Sequence, residues 1–261
     1  WRWFFLPVLG WPNRIYVQSK QDFERYAELG APLDNLALSG NLKFDFEPSS
    51  KPVAGEIADL LARAVPGKIW IAASTMPPAA AGDVDEDDVV IEAFQKLRQQ
   101  HSKLLLILVP RRPERFDGAA EKLAAAGIPH VRRSRLPDGA AGALELPGVL
   151  LLDSMGELAA LFALADVVFM GGSLAQRGGH NLIEPAFFGK PVITGPNNQN
   201  FRAIHEEFQA AGGVVDIATP KDLAPAVDGL LKDPAASHHI GRAGQRVSES
   251  KRGVARRIAT D

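Results

Sequence analysis

The sequence contains no cysteine, carries a formal net charge of only −2 and has no long uninterrupted apolar run. The absence of cysteine excludes a disulfide framework, a thiolate zinc site and a cysteine nucleophile. Lysine and arginine number 29 against 31 for aspartate and glutamate, so no overall positive field favours nucleic acid as a partner. An anion-binding site must therefore be local.

Two nucleotide-binding signatures are also missing. Neither G-x-G-x-x-G nor G-x-x-x-x-G-K-[ST] occurs in a strand-to-helix turn, which argues against dehydrogenase and kinase functions. No cluster of histidines and carboxylates has metal-ligand spacing, so we predict no metal site. The acidic run at 83–88 is predicted to be the solvated, dipole-favoured start of a helix. Arg132, Arg133 and Arg135 are predicted to lie on a solvated face, with contact to anionic lipid or acceptor phosphates as the alternative.

Residues 1–14, WRWFFLPVLGWPNR, are rich in aromatic side chains but are interrupted by Pro7 and Pro12. The apolar part is shorter than the about 20 residues that span a bilayer. It also lacks the basic start, apolar centre and small-residue cleavage pattern of a secretory signal. We predict that this segment packs into a core, because clustered large aromatics are usually buried. An interfacial patch that faces lipid is the alternative.

Apolar runs and amphipathic segments alternate along most of the chain. Strands are predicted at 15–18, 36–39, 68–73, 104–109, 130–132, 149–152, 167–170, near 192 and at 214–216. Helices are predicted at 21–29, 56–64, 86–98, 114–126, 156–164, after 181, and at 201–211 and 222–231. This alternation predicts an α/β fold with a doubly wound, Rossmann-like parallel sheet covered by helices on both faces.

The polar, proline-bearing segment 41–52 has the composition of an interdomain linker. We therefore predict one domain over 1–46, ending in the start of the linker, and a second over 47–261. The first contains a single βαβ-like unit that begins without a preceding strand, and the sequence lacks an initiator methionine. We expect the chain to be a fragment of a longer protein.

Ligands of doubly wound sheets bind beyond the carboxyl ends of the strands. The loops after Ala73, Val109, Leu152 and Met170 are polar where the strands are apolar, and they should converge there. The loop after Met170 contains two pairs of glycines, which let bare backbone approach a ligand.

Asn181 and Glu184 have the spacing of a reciprocal helix-capping box at the end of this loop. Such a helix start presents free N–H groups and a positive dipole end, which favours a phosphate or carboxylate ligand. A capping role alone is the alternative interpretation. The neighbouring Arg177 and His180 add more polar groups than capping requires.

Several segments, in this order and spacing, resemble the 3-deoxy-D-manno-octulosonic acid (Kdo) transferases. They are VQSKQDFERYAELGA, SGNLKFD, WIAASTMP, LVPRRPERF, LLLDSMGEL, FMGGSLAQRGGHNLIEPAFFGKPVITGP and NFRAI, and they cover almost the whole chain. The resemblance implies a GT-B-type glycosyltransferase. It identifies 1–46 with the C-terminal remnant of an acceptor-binding domain and 47–261 with a nucleotide-sugar donor-binding domain.

The resemblance also implies the residues that contact CMP in the donor CMP-Kdo. They are Pro110 and Arg111, then Met155, Gly156 and Glu157, then Asn181, Leu182, Ile183 and Glu184. A candidate donor loop adds Ser74, Thr75, Gly178, Gly179 and His180.

Each of these roles has a physical basis and an alternative. The guanidinium of Arg111 can bind phosphate or carboxylate through two parallel bonds, but it can also be an ordinary surface group. Glu184 can accept hydrogen bonds from ribose hydroxyls or serve as a capping residue. Gly156 permits close backbone approach or begins a helix, and Ser74 and Thr75 donate to phosphate or cap the next helix.

The implied activity is inverting transfer of Kdo from CMP-Kdo to a lipid A precursor during lipopolysaccharide biosynthesis. The resemblance implies neither a metal nor another cofactor, and it implies work at the cytoplasmic face of the bacterial inner membrane, with peripheral attachment or an anchor upstream. No residue here is assigned to catalysis, because the family's glutamate base lies in the N-terminal domain. The alternative functions are a noncatalytic nucleotide-binding module and a related GT-B transferase with another nucleotide-sugar donor.

Overall fold

The computed structural model describes residues 2–47, 53–136 and 144–261. The strands are β1 (Ile15–Val17), β2 (Leu36–Leu38), β3 (Lys68–Thr75), β4 (Leu104–Pro110), β5 (His130–Arg132), β6 (Gly148–Leu151), β7 (Val167–Met170), β8 (Val192–Thr194) and β9 (Val215–Asp216). The helices are α1 (Arg2–Leu9), α2 (Lys20–Leu29), α3 (Gly55–Ala64), α4 (Glu86–Leu97), α5 (Phe116–Ala125), α6 (Leu158–Leu161), α7 (Ile183–Phe187), α8 (Arg202–Ala210), α9 (Leu223–Lys232), α10 (Pro234–Ser250) and α11 (Val254–Thr260).

The described residues form two compact units. The first contains the described residues up to Glu47 together with Ser248–Asp261, and the second contains those from residue 53 to Val247. The predicted second domain at 47–261 therefore includes a C-terminal segment that the structure groups with the first unit. The identification of these units with an acceptor-domain remnant and a donor domain stays a prediction.

The first unit is built around the predicted βαβ segment. β1 and β2 are parallel neighbours, with Ile15 opposite Leu36. Between them, the Ser19 side chain caps α2 by accepting the backbone N–H of Asp22, and Gly30 ends the helix in the left-handed conformation that favours glycine.

The start of the predicted linker is folded rather than extended. Leu42–Asp45 form a 3-10 turn in which Phe44 is buried. The Asp45 carboxylate accepts backbone N–H bonds at the start of α11, including that of Val254 at 3.2 Å, and so satisfies donors that a helix leaves free. This contact explains why the C-terminal segment belongs to the first unit. The rest of the predicted linker, 48–52, lies outside the described residues.

The prediction that the aromatic opening is buried was wrong. Trp3 is 79% exposed on α1, and Trp11 is 77% exposed in the turn that follows. Among the described side chains of α1, only Leu9 is buried. A two-stranded sheet has too little area to cover more of the helix. We call the exposed set the α1 patch; it consists of Trp3, Phe4, Phe5, Leu6, Val8 and Trp11. Among the described helices, none has the length and apolar character needed to cross a membrane.

The second unit is a seven-stranded parallel sheet in the order β5-β6-β4-β3-β7-β8-β9. The strands and helices predicted for this unit are present with small shifts at their ends, and the part of α10 up to Val247 is additional. α10 was missed because it contains glycines and few large apolar residues, so its helical period is weak. The side chains of β4 and β7 are buried, and Trp70, Phe94 and Phe169 are among the largest in the core. The α/β, doubly wound prediction is confirmed.

The order of the strands creates one topological switch point. After β3, the chain adds β4, β5 and β6 on one side of β3 and then returns to place β7 on its other side. Ligands of doubly wound sheets bind at such a point, beyond the carboxyl ends of the strands. The fold therefore directs attention to the loops after β3, β4, β6 and β7.

Candidate functional site

The four loops leave the same edge of the sheet. The register sets Thr75 beside Pro110 and Ala73 beside Met170, and it sets Leu108 beside Leu151. Because all these strands are parallel neighbours, their carboxyl ends lie together. The loops singled out in the sequence therefore surround one edge.

The end of β3 is tightly fitted against β7. Ser74 has φ of 56°, a left-handed conformation that costs a residue other than glycine about 1–3 kcal/mol. A Cβ on Gly171 would lie 2.5 Å from the Ser74 carbonyl oxygen, so only glycine permits this approach. Thr75 is buried and its hydroxyl donates to Asp87 at 2.6 Å, which favours the structural interpretation of Thr75 over phosphate binding. Ser74 is half-buried, and its role in phosphate binding stays a prediction.

Arg111 projects from the end of β4. Its backbone N–H donates to the Thr75 carbonyl at 3.0 Å, which fixes the start of the loop. Its side chain is exposed and forms no ion pair with the described residues. Burial lowers the pKa of His180 and raises the pKa of Glu184, and the positive charge of Arg111 is a further influence on both, so Arg111 lies within electrostatic range of each group. The structure thus brings together three of the predicted donor residues.

His180 is a neutral imidazole in this setting. Its Nε2 atom is buried and has no hydrogen-bond partner among the described residues. Burial, and then the charge of Arg111, lowers the pKa of His180 to about 4. An unpartnered buried ring nitrogen is costly, so a bound molecule that supplies a partner would gain from it.

The predicted reciprocal capping box is not formed. α7 begins at Ile183, after Leu182, and the Asn181 Oδ1 accepts the Ile183 N–H at 3.1 Å. The Asn181 side-chain amide donates to Glu184 Oε1 at 3.3 Å, so the carboxyl group of Glu184 does not cap the backbone. Burial raises the pKa of Glu184, whereas the Asn181 bond and the Arg111 charge lower it. Since α7 has only 5 residues, its dipole adds little to anion binding.

Other predicted contacts are limited to the backbone. Leu182 and Ile183 are fully buried, so their peptide groups alone can face a ligand. Gly178 and Gly179 have φ of 85° and 77°, and a Cβ on Gly179 would lie 2.7 Å from Asn198 Oδ1. Pro110 is buried at the end of β4.

The loop after β6 holds Met155 and Gly156 at its tip. Met155 is 64% exposed, and Gly156 has φ of 86°, which a left-handed turn requires. The Glu157 carboxylate accepts from Arg133 Nε at 3.0 Å and from the Ser154 hydroxyl. Glu157 therefore holds the loop through its side chain, and its backbone is what remains for a ligand.

The basic residues were predicted on a solvated face, which is wrong for two of them. Arg132 donates to Asp153 and Asp117, both at 2.6 Å. Arg133 binds Glu157, as described above, and lies 3.5 Å from Glu56. These acidic partners come from distant parts of the chain, so sequence spacing did not reveal them. Arg135 is exposed as predicted.

The acidic run also differs from its prediction. Asp85 caps α4 as expected by accepting the Asp87 N–H at 3.0 Å, but Glu86 and Asp87 are fully buried. Asp87 and Asp85 bind Arg115, and Asp85 also binds Lys122 at 2.9 Å. Burial raises the pKa of Glu86, while backbone N–H bonds from Gly172 and other loop residues lower it. The sequence feature that could have indicated a buried acidic residue is the glycine-rich loop, because its backbone N–H groups need an acceptor.

Among the described residues, no group of histidine, aspartate and glutamate is arranged to hold a metal ion.

A protein-family model matches residues 86–247, the part of the chain that carries this site, and its description is glycosyl transferases group 1. The chain belongs to this family. The match extends over more than half of the sequence and includes Arg111, His180 and Glu184.

Among its relatives in this family, the chain is 35% identical over 249 residues to the 3-deoxy-D-manno-octulosonic acid transferase of Haemophilus influenzae. It is also 35% identical over 257 residues to the corresponding enzyme of Bordetella pertussis. Each match covers 94% of this chain and 55% of the relative, so the chain spans about half the length of these enzymes. The resemblance to the Kdo transferases is confirmed.

Solved structures have a fold similar to that of this chain. The C-terminal CMP-Kdo binding domain of WaaA from Acinetobacter baumannii is similar with a TM-score of 0.63 and 31% identity, covering 73% of this chain and 94% of that domain. Anabaena Alr3699/HepE in complex with UDP-glucose has a TM-score of 0.57 at 14% identity, covering 99% of this chain and 66% of that one. The GT-B-type prediction is confirmed.

Proposed function

We propose that this chain provides the donor site of an inverting glycosyltransferase that moves Kdo from CMP-Kdo to a lipid A precursor in lipopolysaccharide biosynthesis. The observation that carries the proposal is the cluster of Arg111, His180 and Glu184 beside the switch point. It combines an exposed guanidinium, a neutral imidazole with a buried ring nitrogen and a carboxyl group, and none of the three has an ion pair or backbone partner among the described residues.

The comparisons support this choice of donor over other nucleotide sugars. The solved domain of WaaA is named for CMP-Kdo binding, and the two bacterial relatives are named as Kdo transferases. The likeness to Alr3699/HepE, at 14% identity, supports the fold alone. We therefore favour a cytidine nucleotide as the ligand.

The chemistry assigned to these residues is stabilisation of the leaving group. During transfer, a hydroxyl of the acceptor attacks the anomeric carbon of Kdo while the bond from that carbon to the phosphate oxygen breaks. Arg111 would meet the negative charge that develops on the departing CMP. Glu184 would accept from the ribose hydroxyls, and backbone groups of Met155 and Gly156 would contact the base.

We propose that neither a metal nor another cofactor takes part, because the guanidinium of Arg111 supplies positive charge at the phosphate. No residue described here is proposed as the general base. That role is assigned to an acceptor-side glutamate outside this chain, as the resemblance implies, and it requires a hydrogen bond to the acceptor hydroxyl.

Isothermal titration calorimetry of this chain with CMP, UMP and AMP tests the donor assignment. We expect CMP to bind at least about tenfold more tightly than UMP, because the exocyclic amine and ring nitrogen of cytosine present a donor and acceptor pattern that uracil reverses. AMP serves as the control for the ribose phosphate alone. Equal affinities for all three nucleotides would refute the cytidine assignment.

We also propose that the acceptor is reached at a membrane surface, at the cytoplasmic face of the inner membrane. The α1 patch supports this proposal, since exposed tryptophans and phenylalanines beside Arg14 have the composition of segments that lie in the interface of a bilayer.

Replacing Trp3 and Trp11 together by alanine is expected to weaken binding to vesicles by about tenfold, because both indoles leave the interface. Cosedimentation with phosphatidylethanolamine and phosphatidylglycerol vesicles measures this change. Leu164→Ala, which removes an apolar side chain exposed elsewhere, is the matched control. Equal sedimentation of wild type and the double variant would contradict the membrane assignment, while CMP binding in both confirms that they are folded.

A further inference from the structure

Two irregular loops flank the switch point between β3 and β7. The first covers 76–85 and the second covers 171–177, and neither contains helix or strand. β3 and β7 are parallel neighbours, so the two loops leave the sheet side by side. Backbone N–H groups in such loops lack strand partners and need acceptors from elsewhere.

The carboxylate of Glu86 is the acceptor for five of these N–H groups. Its Oε2 accepts from Met76 at 2.8 Å and from Gly172 at 2.6 Å. Its Oε1 accepts from residues 173, 174 and 175 at 3.0, 2.8 and 3.1 Å. The side chain is fully buried, so water does not compete for these donors. One carboxylate therefore ties both loops together from inside.

A second carboxylate makes a similar connection at the surface. Asp83 Oδ2 accepts from the Ala79 N–H at 2.7 Å in the first loop and from the Gln176 N–H at 3.0 Å in the second. Arg177 of the second loop donates to the carbonyl oxygens of residues 77 and 78 in the first. The loops are thus joined by two acids and one guanidinium.

The anchored loop leads directly to His180. Gly172, whose N–H is held by Glu86, accepts the N–H of Gly179 through its carbonyl at 2.7 Å. Gly179 precedes His180, and the imidazole packs against Gly172 so closely that a Cβ there would lie 2.9 Å from Nε2. A shift of Gly172 therefore changes the position of His180 and of Asn181 after it.

We propose that Glu86 is a positioning residue for donor binding: its carboxylate fixes the glycine-rich loop so that His180 and Asn181 face the nucleotide. The Glu86 side chain is fully buried and its carboxylate holds backbone N–H groups, so its proposed role is to act through the loop. The inference rests on the proposed CMP site, but its structural half concerns the loop alone and is measured separately.

The test compares Glu86→Gln with the wild-type chain. Glutamine offers a single carbonyl oxygen and places an N–H₂ group against backbone donors, so several of the five bonds are lost. We expect CMP affinity to fall about tenfold at unchanged binding stoichiometry, with cooperative unfolding retained. Hydrogen exchange of the backbone amides of 172–175 should become faster, while the amides of β4 stay protected.

Asp88→Asn is the matched control. Asp88 belongs to the same acidic run but its side chain is 62% exposed, and it pairs with Lys122 at 2.8 Å. We expect wild-type CMP affinity and wild-type exchange at 172–175 in this variant.

The outcomes separate the two levels of the proposal. Faster exchange at 172–175 with unchanged CMP affinity would overturn the positioning role, as would an apparent loss explained wholly by reduced stoichiometry. If the wild-type chain does not bind CMP, the proposed function fails, and the exchange measurement still reports on the loop. If Glu86→Gln does not fold, Glu86→Asp decides, because it keeps the charge but its side chain is one methylene shorter and cannot reach both loops. Unchanged CMP affinity with faster exchange at 172–175 in that variant overturns the proposal.

Discussion

Replacing Arg111 by alanine is expected to lower the affinity for CMP by about a hundredfold while leaving the protein folded. Hydrogen bonds to charged groups contribute about 1.5–3 kcal/mol each, and 1.4 kcal/mol corresponds to tenfold in affinity. The guanidinium is exposed and makes no ion pair with the described residues, so its removal breaks no internal contact of that kind. Calorimetry with CMP measures the affinity, and thermal unfolding measures the stability.

Arg112→Ala is the control for this variant because Arg112 is the adjacent, exposed arginine and already lies 3.7 Å from Glu114. Arg111→Lys should recover only part of the affinity, since an ammonium group cannot reproduce the planar fork. If Arg111→Ala and Arg112→Ala bind CMP equally well, Arg111 is an ordinary surface arginine and the assigned phosphate contact is wrong.

Glu184→Ala provides a second view of the same site. The carboxyl group accepts a bond from Asn181 and caps no backbone N–H, so its loss should weaken CMP binding more than it weakens the fold. Unchanged CMP affinity in both Glu184→Ala and Arg111→Ala would leave a local structural role as the interpretation of these residues.

Acid is expected to destabilise the protein through His180 by up to about 3 kcal/mol. The pKa of His180 is lowered from 6.5 to about 4, with burial as the first cause and the charge of Arg111 as the second. Between these two pKa values, His180 is therefore protonated in the unfolded chain and neutral in the folded protein. The free energy of unfolding is fully retained above pH 6.5 and decreases as the pH falls towards about 4, by about 1.4 kcal/mol per pH unit.

The measurement is urea denaturation of wild type and His180→Gln between pH 4 and 7. Glutamine does not titrate, so the difference between the two curves isolates the histidine from the carboxylates that also titrate in acid. His239→Gln, at an exposed position of α10, should keep the wild-type pH dependence. Parallel pH curves for wild type and His180→Gln would show that His180 is not buried as a neutral group.

The glycine-rich loop shows which structural features the local sequence predicts correctly. The four apolar residues of β7 followed by glycines predicted a buried strand and a turn, and the structure has both. The capping box did not form as predicted because α7 starts two residues after Asn181. Helix starts are decided by tertiary contacts over one or two residues, and spacing alone does not resolve them.

The acidic and basic residues show what the sequence could not predict. Glu86 and Gly172 are separated by 86 positions, and Arg132 and Asp153 by 21. Composition correctly marked these side chains as charged, but a charge is solvated or buried depending on whether a partner from another part of the chain faces it. For the same reason, Thr75 and Glu157 matched the family's donor loops in sequence while their side chains are occupied by Asp87 and Arg133.

By itself, the sequence determined the α/β class, the parallel sheet, the edge where polar loops gather and the resemblance to Kdo transferases. These follow from local periodicity and motifs, which depend on residues close together in the chain. Only the tertiary structure decided that the α1 patch is exposed, that Glu86 is buried and that Arg111, unlike Arg115, Arg132 and Arg133, has no acidic partner among the described residues. Burial and pairing are properties of contacts between distant segments, and those contacts exist only after the chain has folded.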